Sequence, residues 1–244
     1  MIVSLDQPDQ KPGCSHCIMR GLGLCKVLID LGWEQPYSGE QEPIPQKKGP
    51  FAARRTIFHQ NESLNGVPVI CEGWATSIMK LSNGRRQILS FLIPGELVTC
   101  RLLFDRQLHL SIDAITRGSY RMFDLAQLRA AMSIAPSIFD RLLSAYNDER
   151  TRADQLIADL GRRTATGRIA RLLLDIWTRL EKAGEIEGDS IEFPLRQTHI
   201  ADATGLTTVY VSKVINAFRN GRLVEFSDRS LKILDIDRLR QLAA

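Results

Sequence analysis

Three cysteines stand close together near the start of the chain, at Cys14, Cys17 and Cys25. Thiolates at this short spacing can hold a single metal centre between them. The basic neighbours Arg20 and Lys26 favour the thiolate form over the thiol. The pattern predicts a metal site or a thiol switch, with plain reduced cysteines as the alternative.

Two further cysteines, Cys71 and Cys100, bring the total to five. An odd number argues against a framework of disulfides. The first residues lack the basic and apolar segments of a secretory signal, and the sequence has no apolar run of about 18 residues. We therefore expect a cytoplasmic protein with no membrane segment.

A second group of residues predicts contact with duplex DNA. The segment 198–215 fits a helix-turn-helix, with Ala201 where the two helices cross, Gly205 at the turn and Thr207 as the cap of the second helix. That second helix can enter a major groove and contact bases and phosphates. The candidate DNA-binding residues are Thr198, Thr207, Thr208, Val209, Tyr210, Ser212, Lys213, Asn216 and Arg219.

Local charge, more than total charge, favours this interpretation. The whole chain carries a formal charge of only +4, from 32 basic and 28 acidic residues. Between Arg196 and Lys232, six residues are basic and three are acidic. Arg222 and Arg229 flank a hairpin predicted at 223–234, where a wing can clamp phosphates.

The elements that position these residues follow from the periodicity of the sequence. Residues 51–125 contain short apolar runs separated by turns such as Ser82-Asn83-Gly84, which is typical of a β-sandwich or β-barrel. The stretch 34–50 is rich in proline and glycine and is predicted to be a loop. A short helix is predicted before it, at 18–33.

A long helix is predicted from Pro136 to Leu160, because no further glycine or proline interrupts it. Its apolar positions recur at alternating intervals of four and three residues, as in a coiled-coil seam, and a helix of this length favours a dimer interface. Shorter helices are predicted at 166–183 and 235–242. The predicted seam consists of Leu142, Tyr146, Glu149, Ala153, Leu156 and Leu160.

Three stretches carry a resemblance to a known family. Residues 72–97 contain Glu-Gly-Trp, Ser-Asn-Gly-Arg-Arg and Ile-Pro-Gly-Glu-Leu, residues 161–170 begin Gly-Arg-Arg-Thr-Ala, and residues 193–213 contain the helix-turn-helix. In these stretches the chain resembles the Crp/Fnr family of bacterial transcription regulators. The resemblance implies a homodimer that binds a palindromic DNA site and contacts RNA polymerase.

The resemblance also implies an α+β fold, with an N-terminal β-roll sensor domain of the cyclic-nucleotide-binding type, a long dimerisation helix and a C-terminal winged helix-turn-helix. The predicted limits are 1–50 for a cysteine-containing segment with its linker, 51–135 for the β-roll, 136–160 for the dimerisation helix and 161–244 for the DNA-binding domain. The sequence contains no paired-carboxylate motif, nucleophile elbow or phosphate-binding glycine loop, so we do not expect an enzyme.

The predicted recognition helix departs from the family at two positions. Many members carry a glutamate, which accepts a hydrogen bond from cytosine, where this chain has Val209. Valine cannot accept that bond but can pack on the methyl group of thymine. The usual arginine is replaced by Lys213. We therefore expect a DNA half-site that differs from the common one.

The predicted sensor domain departs from the members that bind cyclic nucleotides. In those members an acidic residue and an Arg-Ser or Arg-Thr pair follow the Pro-Gly turn and bind the ribose and the phosphate. Here Glu96 is present, but Leu110 stands before Ser111 and the arginine is missing. Because the charge of a phosphodiester would be left uncompensated, we expect no cyclic nucleotide in this domain.

The N-terminal cysteines, spaced by two and seven residues, resemble the cluster-binding segment of Fnr-type oxygen sensors, which implies a [4Fe–4S] cluster. The fourth cysteine of that pattern lies near the position held here by Met122. Cys100 is predicted as the substitute ligand, because it follows the Pro-Gly turn, and Cys71 is the alternative. The predicted metal ligands are Cys14, Cys17, Cys25 and Cys100.

Other signals stay open. Zinc, or a three-cysteine site completed by His16 or His109, would use the same thiolates. Haem would need an axial histidine, for which His59 is a further candidate. A small-molecule effector in the β-roll, with no metal, is the main alternative.

Overall fold

The computed structural model describes residues 46–187 and 189–244. The three N-terminal cysteines and the helix predicted at 18–33 lie outside this part of the chain. The strands are β1 (Gln46–Phe51), β2 (Thr56–Phe58), β3 (Gly66–Glu72), β4 (Ala75–Lys80), β5 (Arg86–Leu92), β6 (Ser111–Ala114), β7 (Gly118–Asp124), β8 (Ile186–Glu187), β9 (Ser190–Glu192), β10 (Val224–Ser227) and β11 (Ser230–Ile233). The α-helices are α1 (Leu125–Ile134), α2 (Pro136–Arg162), α3 (Ala165–Ala183), α4 (Gln197–Thr204), α5 (Thr208–Asn220) and α6 (Ile236–Ala243), and Cys100–Leu103 is a 3₁₀ helix.

Strands β1 to β7 form a β-roll of two antiparallel sheets, in the orders β1-β7-β3 and β2-β6-β4-β5. Val67 and Ile112 of the two sheets point into one apolar core. Helix α1 and the start of α2 close this core with Leu128 and Ile138, both fully buried. The Asn83-Gly84 turn joins β4 to β5 in the hairpin that the sequence predicted, with Gly84 at φ +78°.

The prediction of a loop at 34–50 is wrong for residues 46–50, because β1 begins at Gln46. Strand β1 is the edge of its sheet, where a proline that cannot donate to a second neighbour is tolerated, and Pro50 pairs with Ser119 of β7. Gly49 lies against the ring of Tyr120, where a Cβ atom would come within 2.3 Å of the ring. The proline and glycine that predicted a loop therefore serve an edge strand.

Helix α2 has one face packed on the β-roll and another that is apolar but exposed. The predicted dimer seam is therefore wrong where it includes residues of the buried face. Leu142 is only 3% exposed and packs in the core of the β-roll. At 100° per residue, the exposed apolar stripe is rotated by roughly 60° from the predicted seam. Side chains of this stripe are between 48% and 69% exposed, and they are Phe139, Leu143, Tyr146 and Ile157. None of the described helices is both long and apolar enough to cross a membrane.

Helices α3 to α6 and strands β8 to β11 form the C-terminal unit, whose sheet has the order β10-β11-β9-β8. Its core is continuous with one side of the β-roll, because Trp74 and Phe91 belong to the same apolar cluster as Leu173 and Trp177 of α3. The β-roll therefore supplies part of the core on which the helix-turn-helix is built.

Candidate nucleic-acid interface

Helices α4 and α5 meet at a short turn with the local signals of a helix-turn-helix. Gly205 ends α4 at φ +67° and donates its N–H to the carbonyl of Ala201. This left-handed conformation favours glycine, as the sequence predicted. The hydroxyl oxygen of Thr207 then accepts the N–H of Tyr210 at 3.2 Å and caps α5.

Packing against neighbouring helices determines which face of α5 is exposed to solvent. Val211, Val214 and Phe218 are buried against Ile200 and its neighbours on α4 and α3. The opposite face is left to solvent, and Ser212 is half-buried at its border. The other predicted DNA-binding residues are exposed, and they are Thr198, Thr207, Thr208, Val209, Tyr210, Lys213, Asn216 and Arg219.

Strands β10 and β11 form the predicted wing. Both strands reach one residue further toward the turn than predicted, because the turn is tighter than expected. The loop between Ser227 and Ser230 holds only Asp228 and Arg229, both with positive φ. Arg229 forms an exposed ion pair with Glu192 at 3.3 Å. Exposed Arg222 lies just after α5. The two predicted phosphate clamps therefore differ, since one already has a carboxylate partner.

His199, which the sequence left as either a DNA-facing or a packing residue, caps α4. Its Nδ1 atom accepts the backbone N–H of Arg196 at 3.1 Å. Burial lowers the pKa of His199, and the positive charges of Arg86 and Arg196 lower it further, whereas Asp202 raises it. The neutral ring is therefore favoured, as its role as an acceptor requires.

The β4–β5 hairpin holds the first helix of the helix-turn-helix. The Nε atom of Arg86 pairs with the Oδ2 atom of Asp202 at 2.6 Å. The side-chain amide of Gln87 donates to the carbonyl of Ala203 at 3.0 Å. Arg86 and Gln87 lie in a stretch that resembles the family, but their partners on α4 are 116 positions away, so the sequence did not indicate these contacts.

A partly buried ion pair joins the two units at a second place. Arg179 of α3 donates to both carboxylate oxygens of Glu96, at 2.9 and 2.5 Å, and to Asp175 at 2.9 Å. Burial opposes the charge of this guanidinium, but the two carboxylates outweigh burial and raise the pKa of Arg179. Glu96, which the resemblance suggested as a ribose-binding residue, is thus held by a residue of this same chain.

A second carboxylate joins the β-roll to α2. Glu149 accepts the hydroxyl of Thr99 at 2.7 Å and the backbone N–H of Cys100 at 2.9 Å. Glu149 was predicted to be a polar residue in the dimer seam, but its carboxylate points to the 3₁₀ helix of the β-roll. Burial, and secondarily the charge of Glu149, raises the pKa of the Cys100 thiol to about 12.

The surroundings of Cys100 are unfavourable for a metal ligand, because its side chain is only 1% exposed in the core of the β-roll and the raised pKa opposes the thiolate form. Cys71, at the end of β3, is half-buried. Within residues 46–187 and 189–244, no three or more His, Cys, Asp or Glu side chains are grouped to hold a metal ion.

Comparison with known proteins assigns the two units. A family model for a cyclic nucleotide-binding domain matches residues 49–134, and one for a Crp-like helix-turn-helix domain matches residues 167–242. The transcriptional activatory protein AadR of Rhodopseudomonas palustris is 28% identical over 232 residues, which cover 94% of this chain and 92% of that protein. The chain belongs to the Crp/Fnr family. It is therefore a DNA-binding transcription regulator and not an enzyme, as the sequence predicted.

Two further proteins are similar to most of the chain. The structure of FixK2 from Bradyrhizobium japonicum superposes with a TM-score of 0.74 at 26% identity, and covers 82% of this chain and 98% of that one. The anaerobic regulatory protein of Haemophilus influenzae is 23% identical over 249 residues, which cover 96% of this chain and 90% of that protein. The predicted β-roll, long helix and winged helix-turn-helix are confirmed as the Crp/Fnr architecture.

Proposed function

We propose that this Crp/Fnr regulator binds a palindromic DNA site as a homodimer, with the exposed face of α5 in the major groove. The proposal rests chiefly on helix α5. Its first turn is capped by Thr207, one face of the helix is buried against α4, and the other face is exposed. Lys213 and Arg219 add positive charge to the exposed face. A helix with this exposed surface can bring side chains to base edges while its ends contact phosphates.

The exposed stripe of α2 supports the homodimer. Phe139, Leu143, Tyr146 and Ile157 recur at intervals of four, three and eleven residues, so they lie on one side of the helix. Large apolar side chains in such a row favour burial against a second copy. Two α2 helices paired along this stripe would place two copies of α5 for the two halves of a palindrome.

DNA binding is tested by fluorescence anisotropy with a labelled library of duplexes carrying randomised half-sites. We expect binding that weakens by about a hundredfold or more between 50 and 200 mM salt, because each phosphate contact releases counterions. Lys213→Ala should reduce the affinity. Arg240→Ala, which removes one positive charge at an exposed position of α6, is the matched control and should change the affinity less. Absence of salt-dependent binding would contradict the proposal.

The dimer is tested separately by analytical ultracentrifugation. Leu143→Glu places a charge in the stripe and should weaken the dimer by roughly ten- to a hundredfold, which corresponds to about 1.4–2.8 kcal/mol. Ser144→Asp adds a charge outside the stripe and should leave the dimer intact. Equal effects of the two substitutions would contradict pairing through this stripe.

The proposed signal is oxygen or redox state, received through Cys14, Cys17 and Cys25. The spacing of these cysteines supports this, as does the name of the anaerobic regulatory protein among the relatives. A [4Fe–4S] cluster would supply an oxygen-labile centre there. Because Cys100 is buried in the core of the β-roll and Cys71 is half-buried at the end of β3, we propose Cys71 as the fourth ligand, with Cys100 as the alternative. The chain between Cys25 and β1 has about twenty residues, which reach up to roughly 3.3 Å each, so its length allows this contact.

Anaerobic purification, a visible spectrum and assays of iron and sulfide test the signal. A broad band near about 400 nm, with roughly four irons per chain and bleaching in air, is the expected result. Cys14→Ala and Cys17→Ala should abolish the response of DNA binding to air, whereas Cys100→Ala should retain it. A full response after deletion of residues 1–30 would instead favour an effector in the β-roll.

Recognition of RNA polymerase is the remaining part of the proposal, and membership of the family supports it. A transcription assay with purified polymerase, on a promoter carrying the selected site, checks it. Transcription that changes with the regulator present, and not with Leu143→Glu, is the expected result. No change with either protein would contradict contact with the polymerase.

A further inference from the structure

Val209 is far more exposed than the other valines of α5. Its side chain is 79% exposed, whereas Val211 and Val214 are buried. Val209 is the second residue of α5, directly after Thr208 and the Thr207 cap. The first turn of a recognition helix is the part that comes closest to base edges. An apolar side chain thus stands where a base would be contacted.

The neighbours of Val209 on the exposed face are polar, but none is acidic. Ser212, Lys213 and Asn216 follow at intervals of three, four and seven residues and so share its side of the helix. Helix α5 contains no acidic residue anywhere along its length. In the major groove, cytosine offers an amino donor that carboxylates accept, and thymine offers a methyl group. The chemistry of this face therefore favours thymine over cytosine.

The shape of valine strengthens this preference. A β-branched side chain in a helix adopts essentially one χ1 rotamer, so its two methyl groups already point in a fixed direction before DNA arrives. Packing on a base then costs little side-chain entropy. We propose that Val209 is a specificity-determining residue that reads a thymine through its C5-methyl group. The inference rests on the proposed binding of α5 in the major groove and adds the base that it selects.

The test removes only the methyl group of the base. Duplexes are selected from the randomised library with the full-length protein, and the selected duplex is then synthesised with deoxyuridine in place of thymidine, one position at a time. Each half-site should contain one sensitive position. Uracil at that position in a single half-site should weaken binding by about fourfold, which is the effect of one methyl group left unburied. The same change in both half-sites should weaken binding by about fifteenfold.

The variant Val209→Ala identifies the side chain responsible. It should bind the thymine and uracil duplexes with equal affinity, because its single methyl group no longer reaches the base. Asn216→Ala, on the same face, is the matched control and should keep the sensitivity to uracil at that position. With cytosine at that position, binding by the unchanged protein should weaken, and 5-methylcytosine should restore part of it.

The outcomes separate the two proposals. If uracil is tolerated at every position, or if Val209→Ala keeps the full uracil penalty, thymine reading by Val209 is overturned while DNA binding stands. If the library yields no bound sequence and no salt-dependent binding, the placement of α5 in the groove fails as well.

Discussion

Two carboxylates, Glu96 and Glu149, join the β-roll to the helices that follow it, and they differ in the charge of the partner. Glu96 meets the largely buried guanidinium of Arg179, which also binds Asp175. Glu149 receives only neutral donors, the hydroxyl of Thr99 and the N–H of Cys100. At Glu96 the contact with the DNA-binding unit is therefore an ion pair, whereas at Glu149 the long helix is held by hydrogen bonds from neutral donors.

The charge of the partner determines how each carboxylate affects the groups near it. At Glu96 the charges compensate one another, and the loss of either partner would leave a partly buried charge alone. At Glu149 no cation donates to the carboxylate in the described residues, and its charge adds to burial in raising the pKa of the nearby thiol. We therefore expect the first contact to contribute more to stability and the second to add to the raised pKa of Cys100.

The largest expected effect is at Arg179. Arg179→Gln should lower the free energy of unfolding by about 2–4 kcal/mol, because Glu96 and Asp175, both partly buried, would be left near each other without their cation. Urea denaturation followed by tryptophan fluorescence measures this, since Trp74 and Trp177 lie in the shared core. Arg240→Gln removes an exposed ion pair and should change stability by less than about 0.5 kcal/mol.

Glu149→Gln should have a smaller effect on stability, about 1–3 kcal/mol, because one of two neutral donors loses its acceptor. The same change should lower the pKa of the Cys100 thiol from about 12, because one of its causes is removed. Alkylation rates against pH, in a background with the other four cysteines changed to serine, report this pKa. A loss of stability as large as that of Arg179→Gln would remove the distinction between the two contacts.

A third contact between the units, Arg86 with Asp202, should matter least for stability. Its side chains are 44% and 27% exposed, so Arg86→Ala should cost only about 0–1 kcal/mol. Thermal unfolding of this variant beside Arg179→Gln checks the order. A change above about 2 kcal/mol would show that exposure is a poor guide at this junction.

The pH dependence should come in part from His199. Its pKa is lowered in the folded state, first by burial, so at a pH below its ordinary value of 6.5 the unfolded chain binds more protons than the folded one. Stability from this group is thus present above pH 6.5 and is lost as pH falls through the lowered pKa. His199→Gln, which keeps an acceptor for the N–H of Arg196, should flatten this part of the curve of unfolding free energy against pH.

The helix-turn-helix was predictable because its signals are local. Gly205 at the turn, Thr207 at the cap and the periodic apolar residues of α5 all act within a few positions of one another. The placement of the predicted side chains on an exposed face follows from that periodicity. The particular bases that they contact depend on DNA and remain a prediction.

The contacts between the units were not predictable, because they join distant parts of the chain. Glu96 and Arg179 are 83 positions apart, and nothing near Glu96 in sequence indicates its partner. The two faces of α2 were merged for a related reason. Leu142 packs on the β-roll and Tyr146 stays exposed, yet both stand in the predicted seam, and only tertiary packing separates them.

The apolar cluster shared by the β-roll and α3 affects which fragments of the protein can be expressed separately. A fragment starting near residue 163 would lack Trp74 and Phe91, which belong to the same apolar cluster as Leu173 and Trp177. We expect such a fragment to expose apolar surface and to aggregate more readily during expression. The DNA-binding unit is thus recognisable as a module by its sequence, but we expect its independent production to require redesign of that surface.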